Sequence, residues 1–153
     1  MEEIHIRKAV VADLDTLFEF EQGVIAAERP FDPTLKPGVI HYYNLREMIH
    51  ADDVCLLVAE LKERVIGSGY ARIEASKLFH RHSQHAYLGF MYVRPEFRGQ
   101  GINSRIIEAL KEWSLSKQVS ELRLEVYHGN FPAIKAYEKI GFKNYLMQMR
   151  LGL

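Results

Sequence analysis

The stretch that most constrains this chain runs from residue 86 to residue 113. Ala86-Tyr87-Leu88-Gly89-Phe90-Met91-Tyr92-Val93 is a largely apolar run, and Pro95 bounds it. A strand that is apolar on both faces has to be covered on both, so the run predicts a central strand. The turn Arg98-Gly99-Gln100-Gly101 follows. Ile102, Ile106, Leu110 and Trp113 then recur along one face of a helix.

The rest of the chain fits around that unit. Ile4 and Ile6 alternate with polar residues and predict a short first strand. Leu14, Leu17, Phe18, Val24 and Ile25 predict a helix over about 11–28, with Asp13 at its start. Pro30, Pro33, Pro37 and Gly38 make 29–38 a loop. Ile40, Tyr43, Leu45 and Met48 suggest a second helix over about 39–51. Two strands, about 53–61 and 64–75, meet at the hairpin turn Lys62-Glu63. Later, Leu122, Leu124 and Val126 alternate as a strand. Asn130 can cap a helix carrying Ile134, Tyr137 and Ile140, which Gly141 ends. Tyr145, Met147, Met149 and Leu151 at period two predict a last strand. The expected fold class is α/β, with a mixed sheet rather than regular βαβ repeats. A chain of 153 residues fits a single domain over 1–153.

Charge narrows the function. Lys plus Arg number 20 and Asp plus Glu number 20. A protein that tracks phosphates carries a basic excess, so no nucleic-acid partner is expected. Met1-Glu2-Glu3 leads into no apolar signal segment, and no run approaches the ~20 apolar residues of a membrane span. The expectation is a cytoplasmic protein with no membrane partner. The one cysteine, Cys55, lies in the apolar run Val54–Val58 and reads as a buried, inert thiol. His80, His82 and His85 have neither metal-site spacing nor neighbouring Cys ligands, so no metal is expected.

The glycine turn carries the chemical signal. The first N–H groups of a helix have no partner within it, and the helix dipole favours an anion there. Glycines let the backbone approach a phosphate closely, and Arg98 can add a charge-assisted contact. On its own the turn fits a simple chain reversal equally well. A nucleotide P-loop needs Lys-Ser/Thr where this turn has Ile102-Asn103, and the dinucleotide fingerprint needs a third glycine.

A second segment decides between these. Residues 122–142 contain Asn130, Ala133, Tyr137, Gly141 and Phe142 in the spacing N-x-x-A-x-x-x-Y-x-x-x-G-F. Upstream, Arg98, Gly101 and Asn103 follow Q/R-x-x-G-x-G/A, except that Asn103 stands where Gly or Ala is usual. Together the two segments strongly resemble the GNAT N-acetyltransferase superfamily. The resemblance covers essentially the whole chain. It implies a GNAT-like single domain with a mixed central sheet of about six to seven strands, splayed at the cofactor cleft, and helices on both faces. It also implies acetyl-CoA as co-substrate. Met91, Tyr92 and Val93 would pair their backbone with pantetheine as an added strand does. The N–H groups of Arg98, Gly99, Gln100, Gly101, Ile102, Asn103 and Ser104 would hold pyrophosphate. Asn130 and Ala133 would lie on the pantetheine arm, and Tyr137 beside the cofactor sulfur.

Acetyl transfer to an amine needs a neutral nucleophile, a base, and an acid for the leaving thiolate. Tyr137 is the candidate acid; without the resemblance it reads as a core aromatic on the face of Ile134 and Ile140. Glu125 is the candidate base; a structural pairing with Arg123 or another cation is the competing reading. Glu74 and Tyr87 stand behind it. Glu28, Arg29 and Tyr42 flank the proline loop, which covers the acceptor side in the family, so they are candidate substrate contacts alongside Glu74 and Tyr87. The expected activity is N-acetylation of a primary amine by direct attack in a ternary complex. The acceptor would be a small-molecule amine or a peptide N-terminus. A catalytically idle CoA-binding module on the same fold is the alternative, and a homodimer is compatible with the family.

Overall fold

The computed structural model describes residues 3–153. Five strands form one sheet in the order β1-β2-β3-β4-β5: β1 is Ile4–Lys8, β2 Val54–Leu61, β3 Arg64–Ala75, β4 Gln84–Val93 and β5 Leu122–Arg123. The first four are antiparallel neighbours and β5 is parallel to β4, so the sheet is mixed as expected. The helices are α1 Leu14–Glu28, α2 Leu45–His50, α3 Ile102–Ser116 and α4 Phe131–Ile140.

β2 is buried on both faces, and its alternation builds two cores. Leu56 and Val58 join Leu14, Leu17, Phe20, Leu45 and Met48 of α1 and α2. Cys55, Leu57 and Ala59 join Ile102, Ile106, Ile107 and Leu110 of α3 on the opposite face. Each such side chain contributes roughly 1.5–3 kcal/mol on burial. α3 lies close to β3 because Gly69 has no side chain: a Cβ there would fall 2.7 Å from Met91 Sδ and 2.8 Å from Ile106 Cγ2.

Three expectations need correction. The second helix is one short element, not 39–51. Residues 40–44 are extended, held by Gln22 on the Ile40 carbonyl and by Glu21 on the Tyr42 and Tyr43 N–H groups. The helix starts where Asn44 accepts from the Glu47 N–H. The first helix begins at Leu14, because Val11–Asp13 form a single 3-10 turn. The sheet has five strands rather than six to seven. Residues 143–153 form no strand, since their contacts are side-chain ones: Tyr145 lies under the Arg123 guanidinium and Arg150 reaches Thr34 and Asp32.

The sheet opens where the sequence places the cleft. β4 and β5 pair only at Ala86↔Leu122 and Tyr87↔Arg123. β5 ends at Arg123, so beyond Tyr87 no described strand pairs with this edge of β4. β4 also bulges against β3: the register shifts between Ser68↔Tyr92 and Tyr70↔Gly89. Phe90 takes φ 57°, a left-handed conformation uncommon for a bulky residue. The buried Ser68 hydroxyl donates to the Phe90 carbonyl at 2.9 Å and satisfies the bulge from within. Past the bulge, Tyr92 and Val93 still pair with Ser68 and Gly67 of β3, while their other edge has no described strand partner.

Candidate active site in the splayed sheet

The floor of the opening is backbone. Arg94 ends β4 by donating its N–H to Ile66 and its Nε to the Val65 carbonyl, with the guanidinium over the Phe20 ring. A 3-10 turn, Pro95–Phe97, leads into the glycine turn. Gly99 and Gly101 have φ of 78° and 79°, which no β-branched residue adopts without strain. Gly101 is the residue before α3, so the free N–H groups of Ile102, Asn103 and Ser104 begin there. Ile102 itself is buried in the α3 core. Gln100 and Ser104 are exposed. Arg98 is exposed, donates Nε to the Val93 carbonyl at 2.9 Å, and lies over the Tyr92 ring. It therefore braces the turn against β4 and keeps its outer nitrogens available. Asn103 lies in the first turn of α3, not in a left-handed conformation. Its tolerance of unusual backbone angles is not needed there; only the size and polarity of its side chain matter.

The far wall comes from β5, α4 and the chain between them. Asn130 caps α4 by accepting from the Ala133 N–H at 3.4 Å, so its carbonyl oxygen is engaged. Tyr137 is half-buried and its ring meets Phe142 edge-on. Burial, and then the charge of Glu28, raises the Tyr137 phenol, so it holds its proton at neutral pH. Glu125 is not inside the sheet as its place in the sequence suggests. It lies past the last paired residue of β5 and is exposed. Arg123 is paired with Glu121 at 3.0 Å, so the competing pairing with Glu125 is not made. Glu125 faces Tyr87 instead: burial first, then the Glu125 charge, pushes the Tyr87 phenol up. Glu74 is committed elsewhere, to Arg72 at 2.6 Å and near His85 Nε2 at 3.6 Å.

The near wall is aromatic and acidic. Tyr43 packs on Phe90, Tyr70 and Tyr42, with ring centroids 4.9, 5.8 and 5.7 Å away. Glu28 ends α1, and burial raises its carboxyl, with the Tyr42 hydroxyl acting the other way. Tyr42 Oη is buried without a partner of full hydrogen-bond geometry. Arg29 is turned away from the opening: its guanidinium holds the Lys36 and Gly38 carbonyls at 2.9 and 2.6 Å. It shapes the proline loop with one bond from each terminal nitrogen.

Two groups escaped the sequence reading. Glu21 is fully buried and clamps the 41–43 segment through His41 Nδ1 at 2.8 Å and the two backbone N–H groups. Its signal was present, because Glu21 falls on the apolar stripe of Leu14, Leu17 and Ile25. Asp32 binds the Thr34 hydroxyl and N–H, the Tyr127 hydroxyl and Arg150, which hold its carboxyl far below the usual range. Only Asp32-Pro33-Thr34, a turn signature, hinted at it. The three histidines do not converge: His85 bonds Ser76 and His80 lies near Tyr145. Among the described residues no group of three or more His, Cys, Asp or Glu is placed to hold a metal ion. No helix among them is long and apolar enough to cross a membrane.

Known proteins share this fold. A thialysine N-ε-acetyltransferase of Bos taurus is 47% identical over 55 residues, 36% of this chain and 32% of the relative. The chain thus matches about a third of the length of that relative. A predicted acetyltransferase from Clostridium acetobutylicum, solved with acetyl-CoA, superposes with a TM-score of 0.74 at 16% identity, over 98% of this chain and 96% of the other. The aminoglycoside N-acetyltransferase AAC(6')-Iy, solved with CoA, gives 0.74 at 21% identity over 100% and 96%. At these identities the structural likeness speaks for the fold. The family model of the acetyltransferase (GNAT) family matches residues 21–142, a span that holds the bulged strand, the glycine turn and the Tyr137 helix, and the chain belongs to that family.

Proposed function

We propose that the chain is an acetyl-CoA-dependent N-acetyltransferase acting on a primary amine. The observation that carries this reading is the open edge of β4 beyond Tyr87, which runs straight into the Gly99–Gly101 turn and the start of α3. An extended pantetheine needs backbone partners along its length and a pyrophosphate needs N–H groups at its end. Met91, Tyr92 and Val93 supply the first. Arg98 through Ser104 supply the second, and Asn130 and Ala133 border the arm from the other side.

The amine must lose a proton before it attacks. For a lysine-like amine of pKa ~10.4 the neutral form costs about 4–5 kcal/mol at pH 7, and for an α-amino group near 8 about 1.4 kcal/mol. Glu125, with no cation paired to it among the described residues, takes that proton directly or through water. The neutral amine attacks the thioester carbonyl, and the tetrahedral intermediate collapses with loss of the CoA thiolate. Tyr137, kept protonated by burial, gives its proton to that sulfur, and the second proton of the acetylated nitrogen leaves through water, which returns one proton to the Tyr137 phenolate. Direct attack is favoured over an acetyl-cysteine relay. Cys55, the one thiol, is buried on the α3 side with its pKa pushed up to about 11.

The acceptor is a small amine or a peptide N-terminus. The exposed apolar tail, with Tyr145, Leu146, Met147, Met149 and Leu151, is our candidate face for pairing of two copies. A monomer at all concentrations in sedimentation would remove that part. The enzymatic reading is tested by free-thiol release from acetyl-CoA across an amine and peptide panel, with mass spectrometry of the product. Thiol release no faster than hydrolysis for every amine would sink it.

A further inference from the structure

Away from the cleft, at the far end of α3, a cavity of about 180 Å³ gathers charged groups from separate elements. Lys8 comes from the end of β1, His50 from the end of α2 and Asp52 from the turn after it. Trp113 and Lys117 come from the end of α3. The 15 residues of α3 rise about 22 Å, so a helix length separates this cavity from the Gly99–Gly101 turn.

The charges of the cavity are not neutralised within the protein. Neither Lys8 nor Lys117 makes an ion pair among the described residues, and Asp52, which shares the lining, pairs with neither. The last carbonyls of α3 are also taken. The Lys117 N–H donates to Trp113 and Ser114, Gln118 to Leu115, and Val119 to Ser114. The Lys117 ammonium lies instead 5.9 Å from the centre of the Trp113 ring. Two lysines against one aspartate leave the lining a net positive charge, while the chain as a whole is neutral.

Two ammonium groups that share a cavity without a counter-ion oppose each other. An anion between them removes that opposition, and a metal cation would add to it. Ammonium groups on separate elements reach oxygens on two sides at once, which favours a dianion over a monoanion. The cavity is smaller than the roughly 300–1,000 Å³ of sites for drug-sized ligands, so its occupant is small. We infer that it binds a small dianionic oxyanion, a phosphate or a short dicarboxylate, between Lys8 and Lys117, with His50 as a hydrogen-bond donor and Trp113 as a wall. The inference does not depend on the acetyltransferase reading, because no group of the cleft takes part.

Trp113 is the one tryptophan of the chain, so its fluorescence reports on this cavity. The test titrates inorganic phosphate, malonate and acetate at constant ionic strength, with calorimetry as a second measure of each Kd. Phosphate or malonate should saturate with a Kd of about 1 mM or tighter, and acetate should bind about tenfold more weakly or worse. The tighter of the two dianions identifies the group the site takes. Lys8→Gln and Lys117→Gln should each weaken that dianion about tenfold or more, and Lys8→Arg should stay within about threefold of the wild type. Lys111→Gln, on α3 but outside the cavity, should leave the Kd unchanged. Both lining lysines are exposed, so weaker binding at an unchanged Tm marks a lost ligand contact and not unfolding. Binding should also survive saturating CoA; phosphate that CoA displaces was held at the glycine turn, and the inference falls. It falls equally if neither dianion saturates, if acetate binds as tightly, or if both lysine-to-glutamine variants keep the wild-type Kd.

Discussion

The two walls of the cleft are built from different materials. On the β4–α3 side the groups presented are backbone ones: the open edge of Met91–Val93 and the N–H groups following Gly101. On the α1–α2 side they are side chains: Glu28, Tyr42, Tyr43 and, through Asp32, Tyr127. A backbone wall needs only a bulge and two glycines in the right conformation, and any sequence that supplies them builds it. A side-chain wall depends on contacts between residues far apart in the chain, and its chemistry is particular to this protein. On the proposed reading, the general part of the reaction belongs to the first wall and the choice of acceptor to the second.

The largest effect should come from the group that serves both walls. Tyr137 is half-buried and feels the charge of Glu28, and Tyr137→Phe removes the proposed proton donor with little change in shape. We expect kcat to fall about 10²–10³-fold at saturating substrates with KM nearly unchanged. Because burial raises the phenol, its loss should not alter the basic limb of the rate profile at mildly alkaline pH. An unchanged kcat would leave Tyr137 as packing only.

Breaking the backbone wall should act on the cofactor alone. Gly101 has φ 79° and open space where a Cβ would go, so Gly101→Val is opposed by backbone strain and not by a clash. That strain costs about 1–3 kcal/mol. KM for acetyl-CoA should rise about a hundredfold while KM for the acceptor moves little. Gly101→Asn, which tolerates the left-handed region, should recover much of the loss. Equal damage from both substitutions would mean that the glycine's size, and not its conformation, is what the turn needs.

Glu125 lies just past β5, outside both of these walls, and its effect should be smaller because water can replace a base. Glu125→Gln should lower kcat about 10–100-fold at pH 7 and remove the acidic limb from the kcat profile. An acidic limb of unchanged position would exclude it as the base.

The side-chain wall has its own pH signature. Asp32 is held below its usual pKa by the Thr34 hydroxyl first, then by Thr34 N–H, Tyr127 and Arg150. A carboxylate depressed in the folded state contributes stability above its unfolded pKa of ~3.9, and loses it as pH falls through the lower folded value. Asp32→Asn should therefore lower Tm at pH 7, and the gap to the wild type should shrink only in acid below about pH 4. The variant should also raise KM for the acceptor about tenfold, since Tyr127 loses its acceptor at 2.9 Å. A Tm gap constant from pH 7 to pH 2 would show that the charge of Asp32 contributes nothing.

The contrast between the walls also explains what could be read from the sequence. The central strand, the glycine turn and the stripe of α3 are local patterns of period two and 3.6, and each is found where its spacing put it. Residues 143–151 show why a pattern is not an element. Period two tells which side chains share a face, but a strand also needs an edge to pair with, and the tail is held by Arg123 and Asp32 instead. The second helix was overestimated for a similar reason. Tyr43 fits a helical stripe, yet its N–H is taken by Glu21 from 22 positions away. Tyr127 and Asp32 are 95 positions apart and Arg150 and Asp32 are 118 apart, distances over which no single-sequence pattern carries information. The left-handed Phe90 is set by Ser68 beneath it, not by any turn residue.

Asn103 provides the finest test of the comparison, because it is a side chain on the backbone wall. The family pattern has a glycine or alanine at this place, and the helical conformation of Asn103 means that neither is needed for the turn itself. Its side chain is half-buried in the first turn of α3 and has no hydrogen-bond partner among the described residues. It can add a donor to a pyrophosphate or crowd it. A donor amide in a solvent-facing position contributes about 0.5–1.5 kcal/mol. Asn103→Ala should then raise KM for acetyl-CoA about three- to tenfold and leave kcat and acceptor preference untouched. A lower KM would show that crowding wins, and that the purely backbone form of the turn binds better than the one this chain carries.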